Sequence, residues 1–324
     1  MDNGHRLRLD DDTLRRVLGA SGVDPLTATG WAELTEGTYN TAYRIRLADG
    51  SGLLLKVAPS PDAPGLTYER DLMRTETAFY RAAGGHAVVP EVVHADFSRT
   101  TVAADLLLMT EIPGGNLAAR GATTTPGERS ALRTDLGRVV AGLHQVTGTG
   151  FGYPQLGLAR TWREGFLSMV DALLADAGRF AVPLPADDVA GLMRSHAALL
   201  DEVSRPVLVH FDLWDGNVMV DAGRVSGLID GERAFWGDPL AEFVSLALFD
   251  DVERDPALLS GYGAVEFTRE ARLRLAMYRS YLYLIMLIEG TPRRYSGPGH
   301  QHQVQLVLKH LNAELAMLRA AGAA

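Results

Sequence analysis

A polar loop, His210–Asn217, lies between two short apolar runs and restricts the fold of this chain more than any other feature. A turn at Asp221–Gly223 separates the second run from a third, which ends at Asp230. This order predicts a strand, a loop, a strand, a tight turn and a last strand. Such a hairpin would hold Asp212, Asn217 and Asp230 close to one another. We therefore expect a functional site at this point of the chain.

The three side chains of this predicted site offer only oxygen ligands. Mg²⁺ in proteins is bound by one or two carboxylates together with substrate phosphates. Asp212 has a different role open to it, because a carboxylate beside a substrate hydroxyl can accept the proton of that hydroxyl. The alternative is a structural hairpin in which these acids only cap turns.

The sequence Pro113-Gly114-Gly115 divides the chain into two parts with different patterns. Before it, we predict helices at 10–20 and 68–83 and strands at 31–36, 41–47, 53–57, 91–95 and 105–110. After it, we predict helices at 127–147, 161–178, 187–203, 239–249, 266–289 and 302–321, interrupted only by the hairpin. Strands followed by helices predict an α+β fold, with a small sheet-rich N-lobe at 1–112 and a larger, mostly helical C-lobe at 113–324.

Charge and composition exclude several classes of function. The formal net charge is −9, whereas a protein that binds nucleic acid through its phosphates needs clustered lysine and arginine. There is no cysteine, so neither disulfides nor thiolate sites are possible. No signal-peptide pattern opens the sequence, and the apolar run at 281–288 is too short to cross a bilayer. We expect a soluble cytoplasmic protein that binds neither nucleic acid nor membranes.

Lys56 is unusual in a chain that otherwise uses arginine. Of the 31 lysine and arginine residues, only Lys56 and Lys309 are lysines. Lys56 lies in an apolar strand, where a buried ammonium needs an anionic partner. A compact point charge suits contact with phosphate oxygens, although a lysine that reaches out to solvent is the alternative. The helix that follows offers Glu69 and Glu76 on one face as partners.

The pattern His-x-Asp-x-x-x-x-Asn at 210–217, with Asp230 after it, resembles the catalytic loop and metal site of the protein-kinase-like superfamily. The longer string that ends Gly-Asp-Pro-Leu-Ala-Glu at 237–242 resembles the aminoglycoside phosphotransferase family most closely. The resemblance implies a bilobal protein-kinase-like fold with an antiparallel sheet in the N-lobe. It also implies in-line transfer of a γ-phosphoryl group from ATP or GTP to a hydroxyl, with Asp212 as proton acceptor and Asn217 and Asp230 as ligands of Mg²⁺.

The same resemblance implies how the phosphates are held. Lys56 would bridge the phosphates and Glu76, which the family pattern favours over Glu69. The loop between the first two strands would form a lid over the triphosphate. The residues of this lid are Gly37, Thr38 and Asn40, with Tyr43 in a family-like position.

A hinge for the purine base is implied at 107–114. The register suggests that the carbonyl of Thr110 and the amide of Ile112 bind the base, with Met109 at the back of the slot. An ordinary edge strand that runs into a turn has the same sequence pattern and is the alternative. The sequence does not distinguish ATP from GTP.

Other residues near the hairpin have supporting roles. We expect His210 to support the loop by hydrogen bonds, Asp215 to cap a turn, and Asp238 to brace the loop or cap the helix after it. Phe211 stands where protein kinases usually have arginine, and only seven residues separate Asp230 from Asp238. Both features argue against a protein substrate and favour a small-molecule hydroxyl acceptor.

The charge pattern leaves the acceptor open. A polycationic aminoglycoside needs a dense acidic pocket. The helices around 161–203, which we expect on the acceptor side, carry both signs, as Asp171, Asp176, Asp187 and Asp188 and as Arg160, Arg163 and Arg179. A second acidic group, Asp250, Asp251, Glu253 and Asp255, is typical of a solvated loop. A neutral acceptor, such as a nucleoside-type antibiotic or a sugar, therefore remains open.

Three functions follow from these patterns. The first is an antibiotic O-phosphotransferase that confers resistance. The second is a metabolic kinase that acts on choline, an amino alcohol or a sugar, because Asp-Leu-Trp at 212–214 also resembles the fructosamine-kinase branch. The third is a nucleotide-binding pseudoenzyme, which the presence of Asp212 argues against. A zinc hydrolase is set aside because His300 and His302 have no third ligand at a useful spacing, and we expect His144 to be structural.

Overall fold

A computed structural model describes residues 6–35, 39–121 and 123–322. It has the expected α+β architecture, with a five-stranded antiparallel sheet in the N-terminal region and a mostly helical C-terminal region. The strands are β1 (Ala28–Leu34), β2 (Thr41–Leu47), β3 (Gly52–Val57), β4 (Val92–Asp96), β5 (Leu106–Thr110), β6 (Gly115–Asn116), β7 (Val207–Val209), β8 (Val218–Asp221), β9 (Arg224–Leu228) and β10 (Phe235–Gly237). The helices are α1 (Asp11–Ala20), α2 (Leu72–Ala83), α3 (Leu117–Arg120), α4 (Pro126–Leu143), α5 (Trp162–Arg179), α6 (Ala186–Ser195), α7 (Phe243–Leu246), α8 (Pro256–Tyr262), α9 (Arg269–Ile288) and α10 (Pro298–Gly322).

The five-stranded sheet has the order β1-β2-β3-β5-β4. Strand β2 alternates as a half-buried strand does, with Tyr43 and Ile45 buried and Arg44 and Arg46 exposed. The buried face of β2 packs against Leu14 of α1 in a small core of its own. The opposite face of the sheet receives α2, so this second face borders the larger core and the predicted site.

The helix predicted at 68–83 is wrong at its start. Thr67–Glu69 forms a separate 3₁₀ turn, Asp71 has a left-handed backbone with φ 54°, and α2 begins only at Leu72. The hydroxyl of Thr67 donates a hydrogen bond of 2.7 Å to Asp176 on α5, and its amide donates to the same carboxylate. These two hydrogen bonds fix the segment against α5 and outweigh its helical periodicity.

The helices of the C-terminal region follow the predicted order with some differences. The helix predicted at 187–203 ends at Ser195 and continues as a 3₁₀ segment, and the one predicted at 239–249 is a 3₁₀ turn followed by the short α7. Helices α3 and α8 are additional. They were missed because each spans two turns or fewer, too short for a clear helical period.

The predicted order of elements around the polar loop is confirmed. Strands β8 and β9 form the hairpin and pair further with β6, whereas β7 pairs with β10 in a second small sheet. The polar loop therefore passes from one small sheet to the other. Its position is fixed on both sides.

The junction Pro113–Gly115 packs directly on this hairpin. Gly114 has φ +95°, and a Cβ at this position would overlap the backbone carbonyl of Val220. Ser226 donates a hydrogen bond of 2.8 Å to the carbonyl of Pro113. Only glycine suits this conformation and this close approach. Within the described ranges, no helix is long and apolar enough to cross a membrane.

Candidate active site

Lys56 lies on β3, on the face of the sheet that receives α2. Its Nζ lies 2.6 Å from Glu76 Oε1 and also contacts Asp230 Oδ1. Lys56 is 6% exposed and Glu76 is 0% exposed, so this ammonium is a buried charge with two carboxylate partners. Burial lowers the pKa of a lysine, but the carboxylates of Asp230 and Glu76 outweigh it and raise the pKa of Lys56 well above its ordinary value. The structure thus places Glu76, and not Glu69, against Lys56.

Tyr80 closes a ring of contacts around Lys56. Its hydroxyl donates a hydrogen bond of 2.7 Å to Glu76 Oε1 and accepts one of 3.0 Å from the backbone amide of Asp230. The hydroxyl of Tyr80 therefore joins α2 to the loop after β9, and Lys56 joins both of them to β3. Tyr80 was not among the residues predicted from the sequence. Its position four residues after Glu76 on the same helical face was the available signal.

The polar loop His210–Asn217 brings Asp212 and Asn217 into contact. Asn217 Nδ2 donates to the carbonyl of Asp212 at 2.8 Å and to Asp212 Oδ2 at 3.2 Å. His210 is buried and supports the loop: its Nε2 donates to the carbonyl of Ile229 at 2.9 Å, and its Nδ1 accepts from the amide of Asp212 at 3.3 Å. Burial raises the pKa of Asp212 above its ordinary value, although Arg233 and His210 oppose the shift.

Glu242 holds the backbone of the catalytic loop. It is 0% exposed and accepts hydrogen bonds from the amides of His210 at 2.7 Å and Phe211 at 2.9 Å. Phe211 has φ 64°, so this loop carries a strained backbone that these two hydrogen bonds hold in place. Glu242 ends the string at 237–242, but the sequence did not predict a role for it. Its partners Phe211 and His210 lie 31 and 32 positions before it, so the contact could not be predicted from local sequence.

Asn217 and Asp230 meet because the amide of Ile229 donates to the carbonyl of Asn217 at 3.0 Å. The side-chain nitrogen of Asn217 is used by Asp212, so its Oδ1 is left for a ligand. Lys56 takes Oδ1 of Asp230, and among the described residues no hydrogen bond reaches Oδ2. Two such oxygens fit Mg²⁺, which takes its other ligands from phosphates and water. In the part of the chain that the structure describes, no group of three His, Cys, Asp or Glu side chains is arranged to hold a metal.

The backbone around Asp230 is tightly fixed. Asp230 itself is left-handed, with φ 60°, an uncommon conformation for a residue other than glycine. At Gly231 a Cβ would overlap the ring of Phe79 on α2, which is 1% exposed. Glycine therefore allows this loop to pass close to α2 and to present Asp230 to Lys56.

Three further predictions for the hairpin have different outcomes. Asp238 is confirmed as a cap, since it accepts from the amide of Leu240 at 3.0 Å. The prediction that Asp215 caps a turn is wrong, because its carboxylate pairs with Arg129 at 2.9 Å, and this ion pair outweighs a local turn contact. Phe211, in the position of the kinase arginine, is buried among aromatic rings including Phe235.

The hinge segment follows β5. Met109 is 1% exposed and lies opposite Leu54 on β3. The amide of Thr110 donates to the carbonyl of Glu91 at 2.9 Å, and that of Glu111 donates to Gly52. The amide of Ile112 has no hydrogen-bond partner within 6–35, 39–121 and 123–322, so this donor is open to a ligand.

The lid loop is described only in part. Gly37 and Thr38 lie outside the described residues. Asn40 Nδ2 donates to Glu232 Oε2 at 3.2 Å and so links the start of β2 to the loop after Asp230. Burial raises the pKa of Glu232 to about 7. The interpretation of Tyr43 as part of the lid is wrong, because it points into the core beneath α1, where its hydroxyl accepts from the amide of Leu9 at 2.7 Å.

A chain of ion pairs that the sequence did not reveal runs from Asp212 away from Lys56. Arg233 NH1 lies 3.4 Å from Asp212 Oδ1, and Arg233 NH2 lies 2.7 Å from Glu289 Oε2. Glu289 also lies 3.1 Å from Arg293, which contacts Glu69. Sequence reasoning could not find this chain because Glu69 and Arg293 are 224 residues apart. The chain reaches Asp212 through Arg233.

The acidic residues predicted for the acceptor side are paired. Asp171 pairs with Arg194 and Asp188 with Arg319, while Asp176 holds Thr67. The side chain of Asp187 lies outside the described part. In the other acidic group, Asp250, Asp251, Glu253 and Asp255 pair with arginines of the same surface, namely Arg254, Arg279, Arg272 and Arg133. His144 is structural as predicted, since its ring lies 2.8 Å from the hydroxyl of Tyr262.

The sequence from residue 30 to residue 278 matches the model of APH, the phosphotransferase enzyme family. Among curated protein sequences, none is significantly similar to this chain.

Solved structures share the fold. A candidate fructosamine-3-kinase from Thermobifida fusca YX-ER1 is 23% identical with a TM-score of 0.66, over 92% of this chain and 97% of that chain. A thermostable mutant of aminoglycoside phosphotransferase APH(4)-Ia, in complex with AMP-PNP and hygromycin B, is 20% identical with a TM-score of 0.64, over 94% and 97% of the two chains. APH(2")-IIa, in complex with streptomycin and ATP, is 17% identical with a TM-score of 0.63, over 96% and 99%.

Proposed function

The chain belongs to the phosphotransferase enzyme family, and we propose that it transfers the γ-phosphoryl group of ATP or GTP to a hydroxyl of a small molecule. One observation carries this proposal. The cation Lys56 contacts Asp230, while Asn217, beside Asp230, contacts Asp212. A phosphate-binding ammonium, two oxygen ligands and a proton acceptor are thus adjacent in one cleft.

Each of these residues has a task in the reaction. Lys56 binds the α- and β-phosphates, and Glu76 keeps it in place. Asp212 orients the acceptor hydroxyl and takes its proton as the new oxygen–phosphorus bond forms and the β–γ bridge bond breaks. Asn217 and Asp230 are the ligands for Mg²⁺, which neutralises phosphate charge when it is bound.

The purine occupies the hinge in this proposal. The open amide of Ile112 donates to the base and the carbonyl of Thr110 accepts from it, with the apolar Met109 behind the ring. Gly37, Thr38 and Asn40 form the lid over the triphosphate. Because the reaction consumes nucleoside triphosphate, we propose that the protein acts in the cytoplasm.

We propose inactivation of an antibiotic as the first role. Two structures that share this fold contain hygromycin B or streptomycin beside a nucleotide. The second candidate is a metabolic kinase for a sugar, choline or another amino alcohol. It is favoured by the pairing of Asp171 and Asp188 with arginines, which leaves little free acid for a polycationic antibiotic.

A nucleotide-consumption assay across hydroxylated antibiotics and metabolites tests this function, with Asp212→Ala as the control. We expect at least one acceptor to stimulate turnover of Mg·ATP or Mg·GTP by the wild type and not by the variant. Tight nucleotide binding without stimulation by any acceptor would support a pseudoenzyme. Stimulation of Asp212→Ala at the wild-type rate would contradict the mechanism.

A further inference from the structure

A cavity of about 570 Å³ lies beside the proposed site, between the end of β3 and the start of α2. Tyr39, Asn40 and Glu69 line it, and Glu69 is linked to Asp212 by the chain of ion pairs through Arg293, Glu289 and Arg233. Asn40 binds Glu232, while Glu69 contacts Arg293, whose guanidinium also lies 5.0 Å from the ring centre of Tyr39. Contacts of the lining residues therefore connect the cavity to Glu232 and, through the ion pairs, to the carboxylate of Asp212, beside which an acceptor hydroxyl must lie.

The cavity is preformed. Three of the lining residues, Pro59, Pro61 and Pro64, fix the backbone of the segment that follows β3. The next residues are tied to the C-terminal region, because Arg179 donates to the carbonyl of Gly65 and Asp176 accepts from Thr67. The volume of the cavity lies within the range of small-molecule sites, roughly 300–1,000 Å³.

The charges of the cavity wall are nearly balanced, because four carboxylates lie beside three guanidinium groups, namely Asp62, Glu69, Asp71 and Asp105 beside Arg70, Arg99 and Arg179. Arg99 Nε lies 2.7 Å from Asp105 Oδ1, and Arg179 pairs with Asp176 of α5 at the same distance. Glu69 contacts Arg293. The wall carries a surplus of one negative charge, whereas a polycation would need several free carboxylates to replace its water.

We propose that this cavity is a subsite for the distal part of the acceptor and that it takes a neutral, sugar-like ring system. The inference rests on the proposed function for the position of the reacting hydroxyl. Paired charges offer both donors and acceptors to neutral hydroxyl groups, and the alanine and proline side chains offer apolar surface to a ring face. A polycation needs several free carboxylates in addition, which the nearly balanced charges of this wall do not supply.

Saturation-transfer NMR on the full chain, with Mg·AMP-PNP present, tests the subsite. The probes are the neutral sugar maltotriose and the cationic aminoglycoside hygromycin B. Two variants fill the cavity, Ala63→Trp and the more exposed Pro61→Trp. Leu26→Trp, at a position 92% exposed and outside the cavity, is the matched control. Nucleotide affinity and melting temperature are measured for each variant to confirm that it is folded.

We expect a maltotriose signal in the wild type and in Leu26→Trp, and its loss in both filled variants. No maltotriose signal in the wild type, or a signal that persists in folded filled variants, would overturn the subsite. A hygromycin B signal that both filled variants abolish would overturn the neutral class. Intact maltotriose binding without turnover of any acceptor would contradict the proposed function and leave the subsite standing.

Discussion

The hydroxyl of Tyr80 donates a hydrogen bond of 2.7 Å to the carboxylate of Glu76 and accepts another, of 3.0 Å, from the amide of Asp230. The carboxylates of Glu76 and Asp230 also contact Lys56. Lys56, its partner Glu76 on α2 and the loop that carries Asp230 therefore form one closed network. A change in any member must alter the position of the others.

The first prediction concerns this hydroxyl. Tyr80→Phe leaves the amide of Asp230 without its acceptor, so the free energy of unfolding should fall by about 1–3 kcal/mol. Because Asp230 is then less well placed, the affinity for Mg·nucleotide should fall as well. Denaturant titration and calorimetry measure the two effects. Tyr281→Phe is the control, since among the described residues that buried hydroxyl makes only a long contact of 3.5 Å to Tyr153. Equal losses in the two variants would argue against the network.

The second prediction separates the two glutamates that the sequence offers to Lys56. Glu76→Gln removes the carboxylate charge that partners the buried ammonium of Lys56. The free energy of unfolding should fall by roughly 3 kcal/mol, and a large part of the nucleotide affinity should be lost. Glu69→Gln should leave nucleotide affinity unchanged, because Glu69 contacts Arg293 and the amide of Leu66. Calorimetric titration with Mg·AMP-PNP checks both variants. A greater loss of nucleotide affinity in Glu69→Gln would be inconsistent with the structure.

The third prediction concerns the brace of the catalytic loop. Glu242→Gln replaces an acceptor of two amide hydrogens by a group that can accept only through its single oxygen. We expect kcat to fall by about tenfold or more, with nucleotide affinity nearly unchanged, because Asp212 loses its fixed position. Steady-state kinetics with a stimulating acceptor provide the measurement. Glu202→Gln, at a half-exposed ion pair with Arg274, should have wild-type kinetics. An unchanged kcat in folded Glu242→Gln would refute the role of the brace.

The fourth prediction concerns the close approach of Gly231 to α2. Gly231→Ala forces the loop away from Phe79, and such overpacking typically costs about 1–3 kcal/mol. Nucleotide affinity should fall at the same time, because Asp230 moves with the loop. Gly178→Ala on α5 is the matched control, since a Cβ there meets no atom within 4 Å, and alanine favours the helix by up to about 1 kcal/mol. Thermal unfolding of both variants measures the change in stability.

The sequence predicted those parts of the site that depend on local order. The strand that carries Lys56 and the loop that carries Asp212 and Asn217 follow from apolar runs and turn residues, which act over a few positions. Asp238 was predictable as a cap for the same reason. The helix at 68–83 was not, because the tie from Thr67 to Asp176 lies between residues 109 positions apart.

The parts that were missed are tertiary contacts. Glu242 binds a backbone 31 and 32 residues before it, and Arg233 reaches Glu289 over 56 residues. No periodicity or spacing specifies such pairs, since they form only when separate helices pack together. The acceptor side depends mainly on contacts of this kind, which explains why the sequence describes the reaction better than the acceptor.

The most direct test of the account is a single-turnover measurement of phosphoryl transfer by the wild type and by Asp212→Asn. It uses Mg·ATP or Mg·GTP and the acceptor that stimulates turnover most. Asparagine keeps the shape of the side chain but cannot accept the proton as a carboxylate does. We predict a rate lower by roughly 10²–10⁴-fold with unchanged nucleotide affinity. Transfer at the wild-type rate by Asp212→Asn would contradict the assignment of Asp212 as the group that takes the hydroxyl proton.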